Sequence, residues 1–296
     1  MGAARARRMT EYAAFDPRIR RIPGTFSLVL PAHNEQDNIE PVVRRALEVL
    51  PHLVEVFEVI VVDDGSKDRT ADIVGMIAQA DSRVRLIRHP RNRGYGGAVT
   101  TGIDASTGEF VMFMDSDRQF DIADLQLLSP FVGEYDVVAG FRLERNDPLH
   151  RRVFAEIFNV GVRLLFGVHL RDIDCAFKVF RGDQVRGLEL SSPGALINTE
   201  MQAKLRRQGA TLIQVGVHHY PRIAGEATGG NPRVILRAAK ETLALWWRMH
   251  FYVPPKASPA PRGPYLLGDA IVIGGLALTL SAISAAWQVM RRWPRR

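Results

Sequence analysis

The stretch "GEFVMFMDSDRQFD", Gly108 to Asp121, decides the fold. Its apolar run Phe110–Met114 is bounded by a glycine and by polar residues, so it reads as a buried strand of a parallel sheet covered on both faces. Asp115 and Asp117 then stand at the C-terminal end of that strand, with Ser116 between them. In open α/β sheets that rim is where ligands bind. Two carboxylates spaced i, i+2 off a strand end converge on one oxygen-seeking cation, and Gln119 adds a carbonyl oxygen. The competing reading is a solvated loop that caps the next helix through Asp121. Asp-x-Asp alone leaves both open.

Outward from this strand, apolar runs alternate with helical spacing. Residues 26–30, 57–62, 84–87 and 135–139 read as further strands, while 37–50, 69–79 and a glycine-rich start at 94–98 read as helices. Such alternation implies right-handed βαβ units and a parallel sheet. Polar clusters follow the first four strands: "PAHNE", "DDGSKD", "RNRGYGGA" and "DSDRQ". Strand ends of a parallel sheet open onto one edge, so the four clusters are expected to meet. The "GYGGA" run is not a dinucleotide fingerprint, and it follows the third strand rather than the first. Phosphate binding at a helix N-terminus, with Arg91 and Arg93 nearby, and a plain turn are its two readings.

Composition sets the partners. A chain of 296 residues with 46% hydrophobic content is long enough for a substantial core. The single cysteine, Cys175, excludes an intramolecular disulfide. A net charge of +7 calls for an anionic partner, whether nucleic acid, nucleotide phosphate or an acidic membrane surface. The basic residues are spread along the chain without an RNA-binding motif or an aromatic stacking platform, so no nucleic acid is expected. Residues 1–24 are a basic arm with no apolar h-region, and Ala6 lacks the hydroxyl of a myristoylation motif. Residues 270–290 carry no charge over about the length that spans hydrocarbon, and four arginines follow. Upstream, Trp246, Trp247, Phe251 and Tyr252 mix with Arg237, Lys240, Arg248 and His250 in a pattern that suits a headgroup layer. The expected organisation is a catalytic domain at 25–231, a juxtamembrane amphipathic helix at 232–253, a proline-rich linker at 254–265, a C-terminal membrane helix at 266–290 and a basic tail at 291–296. Full crossing sets the final arginines against the positive-inside tendency. A segment re-entering at Gly274 and Gly275 is the alternative, and a homo-oligomer would cover its broken backbone.

"LVLPAHNE", "VIVVDDGSKDRT", "NRGYGGAVTTG" and "MDSDRQ", in this order and spacing, resemble the nucleotide-sugar half of the family 2 glycosyltransferases. The likeness continues through "VVAGFRLERNDPLHRR", "RDIDCAFKVF" and "INTEMQAKLRRQG", where it is most similar to polyprenyl-phosphate glycosyltransferases. The resemblance implies a GT-A fold, Rossmann-like, with a mainly parallel sheet and flanking helices. It implies an inverting transfer of one sugar from a nucleotide sugar, GDP-mannose or a UDP-hexose, to polyprenyl phosphate at the cytoplasmic face of the cell membrane. By the same resemblance Pro31, Ala32, His33, Glu35, Asp63, Asp64, Asp115 and Ser116 hold the nucleotide, with His33 where a tyrosine is commonest. Asp115, Asp117 and Gln119 hold Mg²⁺ or Mn²⁺, and Arg142 with Arg151 or Arg152 binds the acceptor phosphate.

The chemistry of the residues agrees. Transfer from a nucleotide sugar must neutralise a departing diphosphate, which a divalent cation on two carboxylates does as a Lewis acid. A lipid monophosphate arrives largely ionised and needs no dedicated base. It needs cations instead, and Arg142, Arg145, Arg151 and Arg152 offer forks that suit phosphate oxygens. Asp172, Asp174 and Glu200 are candidates for a base or for positioning sugar hydroxyls; core packing around Cys175 and Phe177 is the competing reading. The alternatives for the whole chain are a family 2 transferase with a saccharide hydroxyl acceptor and a non-catalytic, nucleotide-binding membrane scaffold.

Overall fold

The computed structural model describes residues 19–143, 149–222 and 232–252, with the backbone alone for 149–157 and 232–239. Each apolar run seen in the sequence becomes a strand. β1 (Thr25–Ala32), β2 (Val56–Asp63), β3 (Val84–Arg88), β4 (Phe110–Met114), β5 (Val137–Arg142), β6 (Phe177–Arg181) and β7 (Leu212–Val217) form one sheet in the order β3-β2-β1-β4-β6-β5-β7. Between them run α1 (Ile39–Leu53), α2 (Thr70–Ala80), α3 (Tyr95–Ala105), the short α4 (Leu125–Leu128), α5 (Leu149–Phe166), the short α6 (Gly182–Val185), α7 (Ile197–Arg207) and α8 (Pro232–His250).

β1 lies between β2 and β4, and every residue of it after Thr25 is buried, as a central strand covered on both faces requires. The parallel register pairs Ala32 with Asp63, Asp63 with Arg88, and Val29 with Phe113. The C-terminal ends of β1 to β4 therefore share one edge. Gly108 permits the entry to β4: a Cβ there would stand 2.6 Å from the Ser27 amide nitrogen. The Gly108 N–H instead donates to Ser27 Oγ at 2.8 Å, and that hydroxyl donates to Glu58 at 2.7 Å, so the buried polar groups at this seam are satisfied.

The expected mainly parallel sheet is borne out, with one correction. β6 runs antiparallel to both β4 and β5, pairing Met114 with Phe177 and Val138 with Val179. Its sequence, "FKVFR", is a short apolar run like β4, and such a run records burial but not direction. β6 and β7 are strands beyond those the sequence pattern marks, and β5 begins two residues later than expected. Phe180 on β6 stacks on Phe113 of β4 with ring centroids 5.9 Å apart, joining the two halves of the core.

The basic arm up to residue 18, the linker, the membrane segment and the basic tail lie outside the described residues. Among the described residues no helix is long and apolar enough to cross a membrane.

Candidate active site

The loops that leave the shared edge are laced together. The first loop, after β1, is tied to the second, after β2, because Asn34 N–H donates to Ser66 Oγ (2.9 Å), Lys67 N–H to Asn34 Oδ1 (2.9 Å) and Glu35 N–H to Thr70 Oγ1 (2.9 Å). Asn34 takes the left-handed conformation, φ 56°, which asparagine tolerates better than most residues. The second loop is tied to the third through Asp64. Its carboxylate accepts from His89 Nδ1 (2.7 Å), Arg93 N–H (2.8 Å) and Gly94 N–H (2.9 Å).

Together these loops enclose a cleft of about 340 Å³ lined by Pro31, Ala32, His33, Glu35, Asp64, Asn92, Tyr95, Asp115, Ser116, Asp117 and Arg222. A larger hollow of about 840 Å³ adjoins it, shares His33 and Asn92, and runs over Asp63, Ser66, Lys67, Arg88 and Arg91. The four polar clusters do meet. Of the residues expected to hold a nucleotide, all but Asp63 line the cleft, and Asp63 lines the hollow beside it. Asp64, though, spends its carboxylate on organising the third loop.

Asp115 and Asp117 form the floor. Asp115 Oδ1 is enclosed without a hydrogen-bond partner, and burial followed by the charge of Asp117 pushes the Asp115 carboxyl up to about 7. The Tyr95 hydroxyl lies near it but is also left without a well-formed bond. Glu35 is raised as well, mainly by burial, although Asn38 Nδ2 donates to it at 2.7 Å. Asp117, 5% exposed, accepts from Gln119 N–H (3.1 Å) and from the Arg222 guanidinium. Two close carboxylates, one with an orphaned oxygen, form a site short of positive charge. The donors are all oxygens, with Gln119 Oε1 3.4 Å from Arg222, so the set fits a hard divalent cation whose remaining ligands come from a substrate diphosphate. Among the described residues no group of three or more His, Cys, Asp or Glu side chains is arranged to hold a metal ion by itself. Asp121 is also the cap expected of it, accepting from Ala123 N–H at 3.0 Å.

Arg222 escaped the sequence reading. It lies in "HHYPR", the polar cluster after β7. This loop is pinned to the β4 loop: His218 N–H donates to Asp124 at 2.6 Å, Tyr220 N–H to Gln119 O at 2.9 Å, and Gln119 Nε2 to Tyr220 O at 3.3 Å. Recognising β7 would have added this cluster to the other four.

None of the remaining candidates with described side chains lines the cleft, although Asp174 is near enough to act electrostatically on Tyr95. Arg142 forks onto Asp172 through Nε (2.6 Å) and Nη2 (2.8 Å), so each satisfies the other. Glu200, 1% exposed, accepts from Ser191 N–H (3.2 Å), Ser192 N–H (2.7 Å) and Lys204 Nζ (2.9 Å). It does not line the cleft and holds the 191–194 loop in place. Asp174 is exposed on the loop before β6. Arg151 and Arg152 fall in the first turn of α5, where only the backbone is described, and Arg145 lies outside the described residues.

The glycine cluster also meets a close approach of backbone. A Cβ on Gly94 would come 2.4 Å from Pro193 O, and one on Gly96 2.0 Å from Ser192 O. Gly94 also has φ +86°, and Gly96 N–H donates to Pro193 O at 2.8 Å. The glycines let α3 start in contact with the loop that Glu200 anchors.

Comparison with known proteins agrees with this architecture. The family model described as glycosyl transferase family 2 matches residues 27–186. The glycosyltransferase AglD of Haloferax volcanii is 30% identical over 268 residues, covering 87% of this chain and 41% of that protein. An undecaprenyl-phosphate 4-deoxy-4-formamido-L-arabinose transferase of Pseudomonas aeruginosa is 32% identical over 55% of this chain and 48% of its own length. One of the same name from Salmonella choleraesuis is 26% identical, covering 90% and 78%. The chain thus spans about two fifths to a half of the first two of these relatives. Glucosyl-3-phosphoglycerate synthase of Mycobacterium tuberculosis, solved with Mn²⁺, UDP and phosphoglyceric acid, superposes with a TM-score of 0.58 at 21% identity, over 76% of this chain and 79% of that one; this likeness shows the GT-A fold. With the family model covering more than half of its length and the strand-end clusters meeting in one cleft, the chain belongs to glycosyl transferase family 2.

Proposed function

We propose that this chain moves a single sugar from a nucleotide sugar to polyprenyl phosphate, with inversion, at the cytoplasmic face of the cell membrane. The observation that carries the reading is the pair Asp115 and Asp117 at the floor of the cleft, one with an enclosed, unpartnered oxygen. Such a floor is built to be neutralised by a cation that arrives with a diphosphate. Mg²⁺ or Mn²⁺ held by Asp115, Asp117 and Gln119 would supply the charge that a departing diphosphate needs. Arg222, already on Asp117, adds a fork of N–H donors on the same side. The nucleoside lies between the first and third loops, against His33 and Asn92, where the cleft opens into the larger hollow. UDP in the M. tuberculosis synthase supports a nucleoside diphosphate donor, and the relatives named for undecaprenyl phosphate support a lipid phosphate acceptor.

In the transfer, an acceptor phosphate oxygen attacks the anomeric carbon as the bond to the diphosphate oxygen breaks. The acceptor is already an anion, so no proton has to be removed. This suits a cleft whose carboxylates are committed to charge balance. Arg142, Arg151 and Arg152 are the cations proposed for the acceptor phosphate. Arg142 can serve it by exchanging Asp172 for phosphate or by using the N–H groups that Asp172 leaves over. The exposed Asp174 stands by the same loop to meet sugar hydroxyls.

The test is incubation of the purified protein with radiolabelled UDP- and GDP-sugars and polyprenyl phosphate, followed by lipid extraction. Label in the lipid fraction that depends on Mg²⁺ or Mn²⁺ is expected. Label appearing only in a water-soluble saccharide would overturn the acceptor assignment.

A further inference from the structure

We propose that the outer face of α8 lies on an anionic lipid surface, with Leu243, Trp247 and Phe251 entering the headgroup layer. Their exposures are 50%, 61% and 71%, and their spacing of four residues puts them on one side of the helix. The opposite side is what the fold needs: Thr242, Leu245 and Met249 are buried, and Met249 shares a narrow cleft with Leu165 and Phe166 of α5 and Ala203 and Arg207 of α7. The aromatic cluster singled out in the sequence therefore divides. Trp246 and Tyr252 pack on the core, while Trp247 and Phe251 point away from it and contact each other edge to face, with centroids 5.6 Å apart.

The concentration of these side chains argues for a covered face. Five of the nine large hydrophobics exposed among the described residues belong to two segments that line one narrow cleft: Val160 and Leu164 on α5, Leu243 and Trp247 on α8, and Phe251 just past its end. Isolated exposed apolar residues are ordinary, but a stripe at helical spacing that includes a tryptophan is not.

Two features select a bilayer over a protein. The first is charge: Lys240, Arg248 and His250 are exposed and flank the stripe, which is the composition of an interfacial helix on anionic lipid. The second is the chain beyond α8, where residues 270–290 form an uncharged run of membrane-spanning length about 20 residues downstream. This docking rests on the proposed lipid-phosphate acceptor only in explaining why the face exists.

The test reads the face directly and needs no sugar transfer. Ala244 is exposed beside the stripe, and Met76 is 56% exposed on α2, far from it in sequence. In a full-length Cys175→Ser background, Ala244→Cys or Met76→Cys is labelled with an environment-sensitive fluorophore and mixed with vesicles of phosphatidylcholine, alone or with equimolar phosphatidylglycerol. A blue shift and brighter emission are expected at position 244 with the anionic vesicles, a smaller change with neutral ones and none at position 76. Adding Trp247→Ser and Phe251→Ser reduces the shift at 244. Unchanged emission at 244 while the protein floats with the vesicles would place the contact elsewhere and overturn the proposal. So would a shift that appears without lipid and grows with protein concentration, which marks an interface between copies. Either result leaves the sugar-transfer assay, and the reading it tests, untouched.

Discussion

Two sets of buried carboxylates, one on each side of the sheet, are kept in opposite conditions. On the side of β1 to β4, burial and Asp117 push Asp115 up to about 7, its Oδ1 has no partner, and burial raises Glu35. On the side of β5 to β7, burial would also raise Glu200, yet Lys204, Ser192 and Ser191 together hold it below the usual range, and Asp172 is locked to Arg142. Both sides bury acids in comparable surroundings. What differs is whether the protein supplies the counter-charge or leaves it to be brought in. An unsatisfied buried acid is a sign of a ligand, and a satisfied one is a structural clamp.

The comparison breaks most visibly where the missing charge matters most. Asp117→Asn, or removal of divalent cations with EDTA, is expected to reduce sugar transfer by roughly 10³-fold or more, since the diphosphate would leave without neutralisation. Circular dichroism should show the variant folded. Retained turnover in either case would mean that the floor of the cleft is not a cation site. Next in size is Arg222→Ala, expected to lower kcat/KM for the nucleotide sugar about 100-fold, the scale of one preorganised charged donor. Arg222→Lys should recover only part of it, because a point charge replaces a fork. A full recovery would show that Arg222 contributes charge alone.

The same difference explains what the sequence could reveal. On the first side an apolar run followed by polar residues marks both the strand and its site, so β1 to β4 and their four clusters are readable one after another. On the second side the signals interfere. β6 carries Lys178, wholly buried, whose ammonium donates to the carbonyls of Ile173 (3.1 Å) and Cys175, and a lysine in an apolar run argues against a core strand. In β7, Gln214 binds the 169–171 loop through Arg171 N–H (2.7 Å) and His169 O (3.2 Å), and Gly216 leaves room for Leu143. With β7 unrecognised, Arg222 had no strand end to belong to. Glu200 misled in the other direction: a lone acid near a site looks the same in sequence whether or not a lysine four residues on neutralises it.

A clamp should fail as stability rather than as chemistry. Glu200→Gln leaves Lys204 buried without its counter-charge, so it is expected to destabilise the fold by about 3 kcal/mol. In urea unfolding at neutral pH this appears as a lower midpoint, while kcat of the folded fraction changes little. The sign with pH follows from the lowered carboxyl: the stabilisation is present above the ordinary glutamate value near 4.5 and is lost as pH falls through the folded value. The gap between wild type and Glu200→Gln should therefore narrow in acid. A constant gap, or a loss of kcat larger than the loss of stability, would move Glu200 to the catalytic side of the comparison.

The smallest effect tests an acid that is satisfied by three donors and yet lines the cleft. Asp64 is held by three donors, one of them the buried ring of His89, whose Nδ1 must carry the proton because its partner is a carboxylate. Nε2 hydrogen-bonds with Thr101 Oγ1 on α3 at 3.0 Å, so the ring fastens the second loop to the helix that starts beside Tyr95. His89→Phe keeps the packing but removes one donor of three, for an expected loss of about 1 to 2 kcal/mol. The third loop loosens where Asn92 lines the cleft, so KM for the nucleotide sugar should rise a few-fold, about the factor that 1 kcal/mol represents, with kcat nearly unchanged. His89→Asn, whose amide can reach the same carboxylate, should restore part of that KM. If His89→Phe instead lowers kcat and leaves KM alone, the link acts on the transition state, and Asp64 belongs with Asp115 among the acids that the substrate completes.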